Sequence, residues 1–480
     1  MRAATGRDST VRAWPWSRTL AEFATRDDLR FPSLARSRAA DAITDCVGCL
    51  LAGTREPVAA IMRKVITPTP QGAVLVGETH RAPAVDAALF HGTLAHALDY
   101  DDTNHPAYAH PSAVLVPAMF ALAEQSRASG EDLITAYIVG FQVLGKLGRA
   151  LNFAHYQRGW HATSTFGTLA ATAVAARLLR LSLAQTTMAI GIAASAAGGL
   201  RANFGSMVKP LHAGYAARNG VLAALLAAHG MDASELALDH EYGFCEVFKD
   251  GAAYDRAALD KWDEPLEILT RHGLALKSFP ACGAAHTAIE AAIALRATID
   301  GKPIRAVTAH VAERAFAPLI YVVPRTPLEG KFSLHFCVAA ALADGAVGLG
   351  TFTQQKLGDP RIRELIPRIT MVVDATLPDP DEFPVRLEVQ TTDGARYEAS
   401  VSLAMGKSER WLTVEQLRAK FIDCTRGVLA SAAASATFES LRALDSHTPA
   451  AALLRELARA GTGDPERPMP RATRKDRPGK

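Results

Sequence analysis

The sequence predicts a mainly α protein with a smaller α/β segment towards its C-terminal end. Three observations lead there. Alanine is abundant and aromatic residues make up only 7% of the 480 residues, and alanine is the strongest helix former. From about Leu20 to Lys261, apolar runs of helical length follow one another, broken by turns such as those at Gly72, Gly130 and Gly230. After about Pro265 short alternating β-branched runs take over, and helical patterning returns near Thr413.

Helices are expected at Ser37–Leu51, Pro83–Leu98, Ala113–Ala128, Asp132–Leu151, Gly167–Leu179, Leu183–Ala197 and Gly214–Ala228. Several, such as VLAALLAAHG, are apolar nearly all round, which suits a large helical core or a subunit interface. Strands are expected at Ala306–Ala312, at Ile369–Leu377, and in VRLEVQTT and ARYEASVSL, with Asp393-Gly394 turning the chain between the last two. Helices Thr287–Thr298 and Ser333–Ala343 fall among these strands, and Thr413 with Gln416 has the spacing of a capping box.

The ends differ from the middle. The first eighteen residues are Arg-rich with one acid, Asp8, and residues 1–19 are expected to be disordered. The segment 461–480 holds six Lys/Arg against three Asp/Glu and is expected to be a solvated, disordered basic tail. That tail accounts for the whole formal charge of +3. The remainder is neutral, which argues against nucleic-acid binding. Six cysteines without a secretory signal fit a reduced, cytoplasmic setting. Cys46 and Cys49 form a lone CxxC inside an apolar run and read as core thiols, not a zinc site. No apolar run reaches the roughly 20 residues that span a bilayer. There is no GxGxxG after a strand, no P-loop and no GxSxG elbow, so no cofactor is implied.

The densest chemistry lies in His91–Ser112, HGTLAHALDYDDTNHPAYAHPS. Asp99, Asp101, Asp102, Thr103, His105 and His110 fall within twelve residues. Both His105 and His110 precede proline, which disfavours helix. A helix through about Leu98 therefore opens into a loop rich in proton-moving groups, where chemistry tends to sit. From spacing alone Asp99 and Thr103 serve equally as a helix-end cap or loop brace.

The segment ALDYDDTNHPAYAHPSA resembles the signature of the MmgE/PrpD family. The blocks WHATSTFGTLAATAVAARLL, GLRANFGSMVKPLHAGYAARNG, LKSFPACGAAHTAIEAA and KFSLHFCVAAAL follow in the family's order, so the resemblance covers roughly Leu20 to Ala460. It implies a large all-helical domain, residues 20–265, completed by C-terminal helices in 405–460. A smaller α/β lid, residues 266–404, is inserted between them, with the active site between the two parts and a homodimer as the usual assembly.

It also implies roles. His110 becomes the proton-transfer group, suited by an ordinary pKa near ~6.5, with Asp99 orienting an imidazole or acting as base. Thr103 would hydrogen-bond a substrate carboxylate. His161, alone a structural histidine, becomes a second acid–base group. Lys209 and Lys277 become carboxylate-binding cations, one on each domain. Arg201, whose fork suits a carboxylate, and Tyr321 are further substrate contacts. Asp101 and Asp102 read as loop braces, His105 is open between roles, His212 is a weaker candidate and His286 reads as structural. No metal ligand set is assigned.

The implied activity is a cofactor-independent lyase on a citrate- or aconitate-like polycarboxylate. A 2-methylcitrate dehydratase-like reaction comes first. Decarboxylation of cis-aconitate and epimerisation of an amino-dicarboxylate such as iminodisuccinate are the alternatives. Two departures matter: LDYDDT with a short gap replaces the LDFNDT and longer gap of proteobacterial dehydratases, and Cys282 stands where animal cis-aconitate decarboxylases carry histidine. A metal-dependent hydrolase using the Asp and His groups is the competing class. A non-catalytic solenoid would need an internal repeat, and none is found.

Overall fold

The computed structural model describes residues 15–249 and 251–459. The helical expectations hold with shifted ends: Ser33–Gly53, Ala84–Ala95, Ser112–Leu122, Gly130–Leu151, Ala162–Leu178, Leu183–Ala196 and Val208–Ala228. The helix expected from Gly214 starts six residues earlier, at Val208, and so takes in Lys209 and His212. The helix expected to run to Leu98 stops at Ala95, which lengthens the loop that follows.

One expectation is corrected. Residues 16–19, placed in a disordered N-terminus, begin the helix Trp16–Thr25. Trp16, Leu20 and Phe23 give this helix a buried stripe, and Trp16 Nε1 donates to Asp260 Oδ1 at 3.1 Å. Arg-rich composition concealed that stripe. The rest of the expected disordered start, 1–14, and the basic tail 461–480 lie outside the described residues.

The helical core is drawn tight by small residues. Helix Ala84–Ala95 crosses Val208–Ala228 at Gly92 and Gly214. A Cβ on Gly92 would lie 2.8 Å from Gly214 Cα, and one on Gly214 would lie 2.4 Å from Leu89 O. Side chains are excluded at this crossing, so the backbones touch. The start of the second helix, with Lys209, is thereby held beside the end of the first, where the reactive loop begins.

The α/β segment has its own core, including Ile289, Val307, Phe336 and Leu387. Its sheet runs in the order Ile369–Val373, Ile304–Val311, Val385–Thr391, Arg396–Val401. The first pair is parallel and the other two antiparallel. Alternation along Val385–Thr391 buries every second residue against helix His286–Ile299. Gly394, at φ 86°, turns the last hairpin, and the Asp393 carboxylate accepts from Ala395 N at 3.1 Å. The strand expected to reach Leu377 ends at Val373.

Helices Val414–Thr425 and Ser431–Arg442 then return to pack on Ser33–Gly53. Phe421 and Phe438 join the helical core, and the Thr413–Gln416 capping box is formed. The chain thus returns to the helical core after the α/β segment. Among the described residues no helix is long and apolar enough to cross a membrane.

Candidate active site

The site begins where helix Ala84–Ala95 ends. His96 closes it, and Asp99 turns the chain in a left-handed conformation at φ 53°. Thr103 and Asn104 pair with Ala275 and Leu274, which ties the loop to the strand leading to Lys277. Asp102 faces the start of helix Ser112–Leu122 and accepts from Ser112 N at 2.9 Å and Ser112 Oγ at 2.7 Å. Burial pushes this carboxyl up to about 7. Asp102 is a brace.

Asp101 does more than brace. Its carboxylate lies 2.9 Å from His96 Nδ1 and 3.1 Å from His110 Nδ1, the latter off the line of a good hydrogen bond. Burial would raise Asp101, but His96 and His110 together hold it well below the usual carboxylate range. A carboxylate at Nδ1 favours the Nδ1–H tautomer. The His110 Nε2 lone pair is then left towards Asp99, whose Oδ1 is 3.6 Å away. His110 N donates to Thr163 Oγ1 at 3.1 Å, which anchors it to the start of helix Ala162–Leu178.

Asp99 is gripped by two ammonium groups. Lys209 Nζ lies 2.6 Å from Oδ1 and Lys277 Nζ 3.2 Å from Oδ2. Burial opposes ionisation, yet Lys209, Lys277 and His110 outweigh it and hold Asp99 well below its ordinary pKa. The same surroundings act oppositely on the imidazoles. Burial lowers His110, partly offset by Asp101. Burial, then Lys209 and His96, lower His161 well below its usual value.

His161 precedes its helix, and its N donates to Gly199 O at 3.0 Å. Arg201 N donates to Gly159 O at 2.8 Å, so the 159–161 and 199–201 segments lie side by side. His161 Nδ1 meets His212 Nδ1 at 3.0 Å, so one ring must donate and the other accept. The Arg201 guanidinium stacks 3.6 Å over the Tyr156 ring and donates to Tyr156 O at 2.6 Å.

All eight residues singled out from sequence (Asp99, Thr103, His110, His161, Arg201, Lys209, Lys277, Tyr321) line one cavity of about 790 Å³ between the helical body and the α/β unit. Cys282 and His105 line it too. Burial pushes the Cys282 thiol up, away from a thiolate. His286 Nε2 contacts Ala281 O at 3.2 Å. Sequence reasoning missed the shared grip of Asp101 on two histidines, and it missed His96, Lys331 and Lys420. Lys331 and Lys420 both lie far along the chain from the loop; Lys331 opens the block KFSLHFCVAAAL, the one signal that could have pointed to it, while the flanks of Lys420 carry none.

His96, Asp99, Asp101 and His110 bring ligand atoms within 4.8 Å of one another, a spacing that also suits a metal ion. Each Asp99 oxygen already faces an ammonium, however. A divalent ion there would sit beside two like charges, which disfavours the hydrolase reading.

A carboxylate-oriented histidine beside paired buried lysines is the equipment of an enzyme that moves protons on an anionic small molecule. The chain belongs to the MmgE/PrpD family: residues 18–257 match the MmgE/PrpD N-terminal domain and residues 279–445 the C-terminal domain. It is 31% identical over 355 residues to the cis-aconitate decarboxylase of Mus musculus, covering 71% of this chain and 72% of that protein. It is 28% identical over 428 residues to the cis-aconitate decarboxylase of Aspergillus terreus, covering 82% and 84%. To the 2-methylcitrate dehydratase of Cupriavidus necator it is 26% identical over 384 residues, covering 75% and 77%. These relatives are lyases, and the chain is an enzyme of that class.

Proposed function

We propose that this lyase decarboxylates cis-aconitate or a close analogue, without a cofactor. The observation that carries the reading is the gathering of cations on the cavity wall: Lys209 and Lys277 share the Asp99 carboxylate, and with Arg201 they outnumber the carboxylates of Asp99 and Asp101 beside neutral imidazoles. A polycarboxylate supplies the missing negative charge. The dehydratase reading, placed first from sequence, gives way because the decarboxylases are the more similar relatives named here.

In the proposed reaction the substrate's carboxylates bind Lys209, Lys277, Arg201 and Thr103. The bond from the methylene carbon to its carboxylate breaks, and carbon dioxide leaves. The electron pair forms a new terminal double bond, and the original double bond shifts its electrons to the vinylic carbon. That carbon takes one proton, giving itaconate. His110 or His161 delivers the proton. Both are disfavoured as imidazolium in the empty site, and the arriving anion offsets Lys209 and Lys277 and raises their proton affinity. The α/β unit acts as a lid, since Lys277 lets the substrate's own charge draw it closed. Two copies are proposed to associate in a cytoplasmic homodimer, which light scattering of the purified protein tests.

The test of the reaction is NMR of EDTA-treated protein with cis-aconitate, 2-methylcitrate, citrate and iminodisuccinate in deuterium oxide. Itaconate carrying one deuterium on the former vinylic carbon is the expected product. Loss of water from 2-methylcitrate restores the dehydratase reading, and wash-in of deuterium without other change makes it an epimerase. Activity that appears only on adding a divalent ion overturns the cofactor-free mechanism.

A further inference from the structure

Three consecutive carbonyls at the Asp99 turn each accept from a different buried lysine. Lys331 Nζ donates to Leu98 O. Lys277 Nζ donates to Asp99 O at 2.8 Å. Lys420 Nζ donates to Tyr100 O at 2.8 Å and also to Lys277 O at 2.7 Å. Asp45 Oδ1 lies 2.6 Å from the same Nζ as an ion-pair partner. Lys420 also lies 4.0 Å from the centre of the Tyr100 ring. The three lysines are 5 to 7% exposed.

Such an arrangement needs a cause. A buried ammonium is costly unless its donors are satisfied, and nothing about folding the helical body alone calls for three of them at one turn. The turn itself supplies the reason. Leu98–Tyr100 lies in the buried loop beyond helix Ala84–Ala95, and a buried carbonyl outside regular structure needs a donor from elsewhere. Asp99 stands at φ 53°, a conformation that costs a non-glycine residue free energy and persists only where surroundings impose it.

We propose that Lys331 and Lys420 are positioning residues that, together with Lys277, clamp the Asp99 turn and set the geometry of the acid–base cluster. The clamp draws on separate parts of the chain. Lys331 comes from the α/β side, Lys277 from the junction, between Leu276 of the helical core and Phe279 of the α/β core, and Lys420 from helix Val414–Thr425, which belongs to the helical body. Lys331 O accepts from the N–H of Cys282, a residue of the cavity wall, at 2.9 Å. Movement of the α/β unit therefore pulls on Leu98 through Lys331. Lys420 holds the opposite side of the turn, Tyr100 and the Lys277 backbone, against the helical body. The carboxylate that faces His110 is aligned only when all three lysines are seated. Burial lowers Lys331 to about 8, which fits a lysine held for its place in the structure and not for solvation.

The role in catalysis rests on the proposed function, and the experiment separates the two. Lys331→Met, Lys331→Gln and Lys420→Met are purified with the wild type. Three quantities are read: kcat and KM for the substrate found by NMR, calorimetric binding of propane-1,2,3-tricarboxylate, and the ¹³Cε1–¹H resonance of His110 in unliganded protein at fixed pH, assigned with His110→Asn. Displacing the turn is expected to lower kcat/KM roughly 10- to 100-fold, with KM raised and kcat reduced together, and to move the His110 resonance. Folded variants with wild-type kcat, KM and His110 resonance, differing only in melting temperature, overturn the proposal. Lys331→Gln keeps a hydrogen-bond donor, so it decides the matter if the methionine variants fail to fold. If the wild type neither binds the tricarboxylate nor turns over any substrate, the proposed function falls, while the His110 resonance still reports on the clamp.

Discussion

Two histidine–carboxylate–lysine clusters border the cavity, and they are wired differently. At Asp99 one carboxylate faces two ammonium groups, while Asp101 faces two imidazoles, and every side chain in the set is at most 13% exposed. At Glu382 one buried carboxylate faces one ammonium, Lys407 at 2.8 Å, and one imidazole, His272 at 2.5 Å. His272 is 33% exposed. Lys407 and His272 outweigh the effect of burial and keep Glu382 ionised. The residue types are the same. In the first cluster both ammonium groups crowd the one carboxylate of Asp99, because Asp101 is turned to the imidazoles, and Arg201 brings a further cation to the same cavity. In the second, one ammonium meets one carboxylate. Cations gathered on a cavity wall call for an anionic ligand, whereas a matched pair holds two segments together.

The comparison breaks most sharply at His110. His110→Asn is expected to lower kcat by about 10²- to 10⁴-fold with little change in melting temperature. Activity within tenfold of wild type would remove His110 from proton transfer and erase the functional contrast. Next come the cations: Lys209→Met and Lys277→Met are expected to raise KM roughly 10- to 100-fold, the worth of a charge-assisted hydrogen bond. Calorimetry with propane-1,2,3-tricarboxylate checks this without turnover. An unchanged affinity would mean that the lysines serve Asp99 alone.

A pH titration of stability probes the buried imidazoles as a group. Burial lowers His91 and His286 to about 3, and His96 and His155 to about 4. His91 Nε2 accepts from Val76 N at 3.0 Å, an acceptor role that protonation would abolish. Because these pKa values are depressed on folding, the unfolded chain takes up protons first as pH falls. Their contribution is full above about 6.5 and is lost progressively towards about 4 for His96 and His155 and about 3 for His91 and His286, at about 1.4 kcal/mol per pH unit for each histidine. Melting temperature should fall steadily across that window. A flat profile would show that the histidines protonate without unfolding. The smallest effect is expected at the matched cluster. Glu382→Gln should lower the melting temperature by leaving Lys407 unpaired, yet change kcat/KM by no more than about threefold. A larger kinetic loss would make Glu382 part of the reaction site.

The sequence was informative wherever local rules dominate. Helical period and Gly punctuation located the helices with ends up to six residues off, and alternation located the strands at 304–311 and 385–391. Errors gathered where a tertiary contact decides. Trp16 is helical because the core accepts it and Asp260 takes its N–H. Lys209 is helical because the glycine crossing draws Val208–Ala228 onto Ala84–Ala95. Asp101 and Asp102 look alike as neighbours in a loop. Only the fold sends one to two histidines and the other to Ser112.

By itself, then, the sequence determined the elements, the reactive loop, and, through ordered motifs, the family. Those depend on residue type and on spacing along the chain. The tertiary structure alone decided which charges share a carboxylate and which lysines reach the Asp99 turn. Lys277, Lys331 and Lys420 lie far from residues 98–100 in the chain, and burial sets the strength of each of those interactions. Pairing of that kind depends on distance in space and on exclusion of water, which no local pattern records.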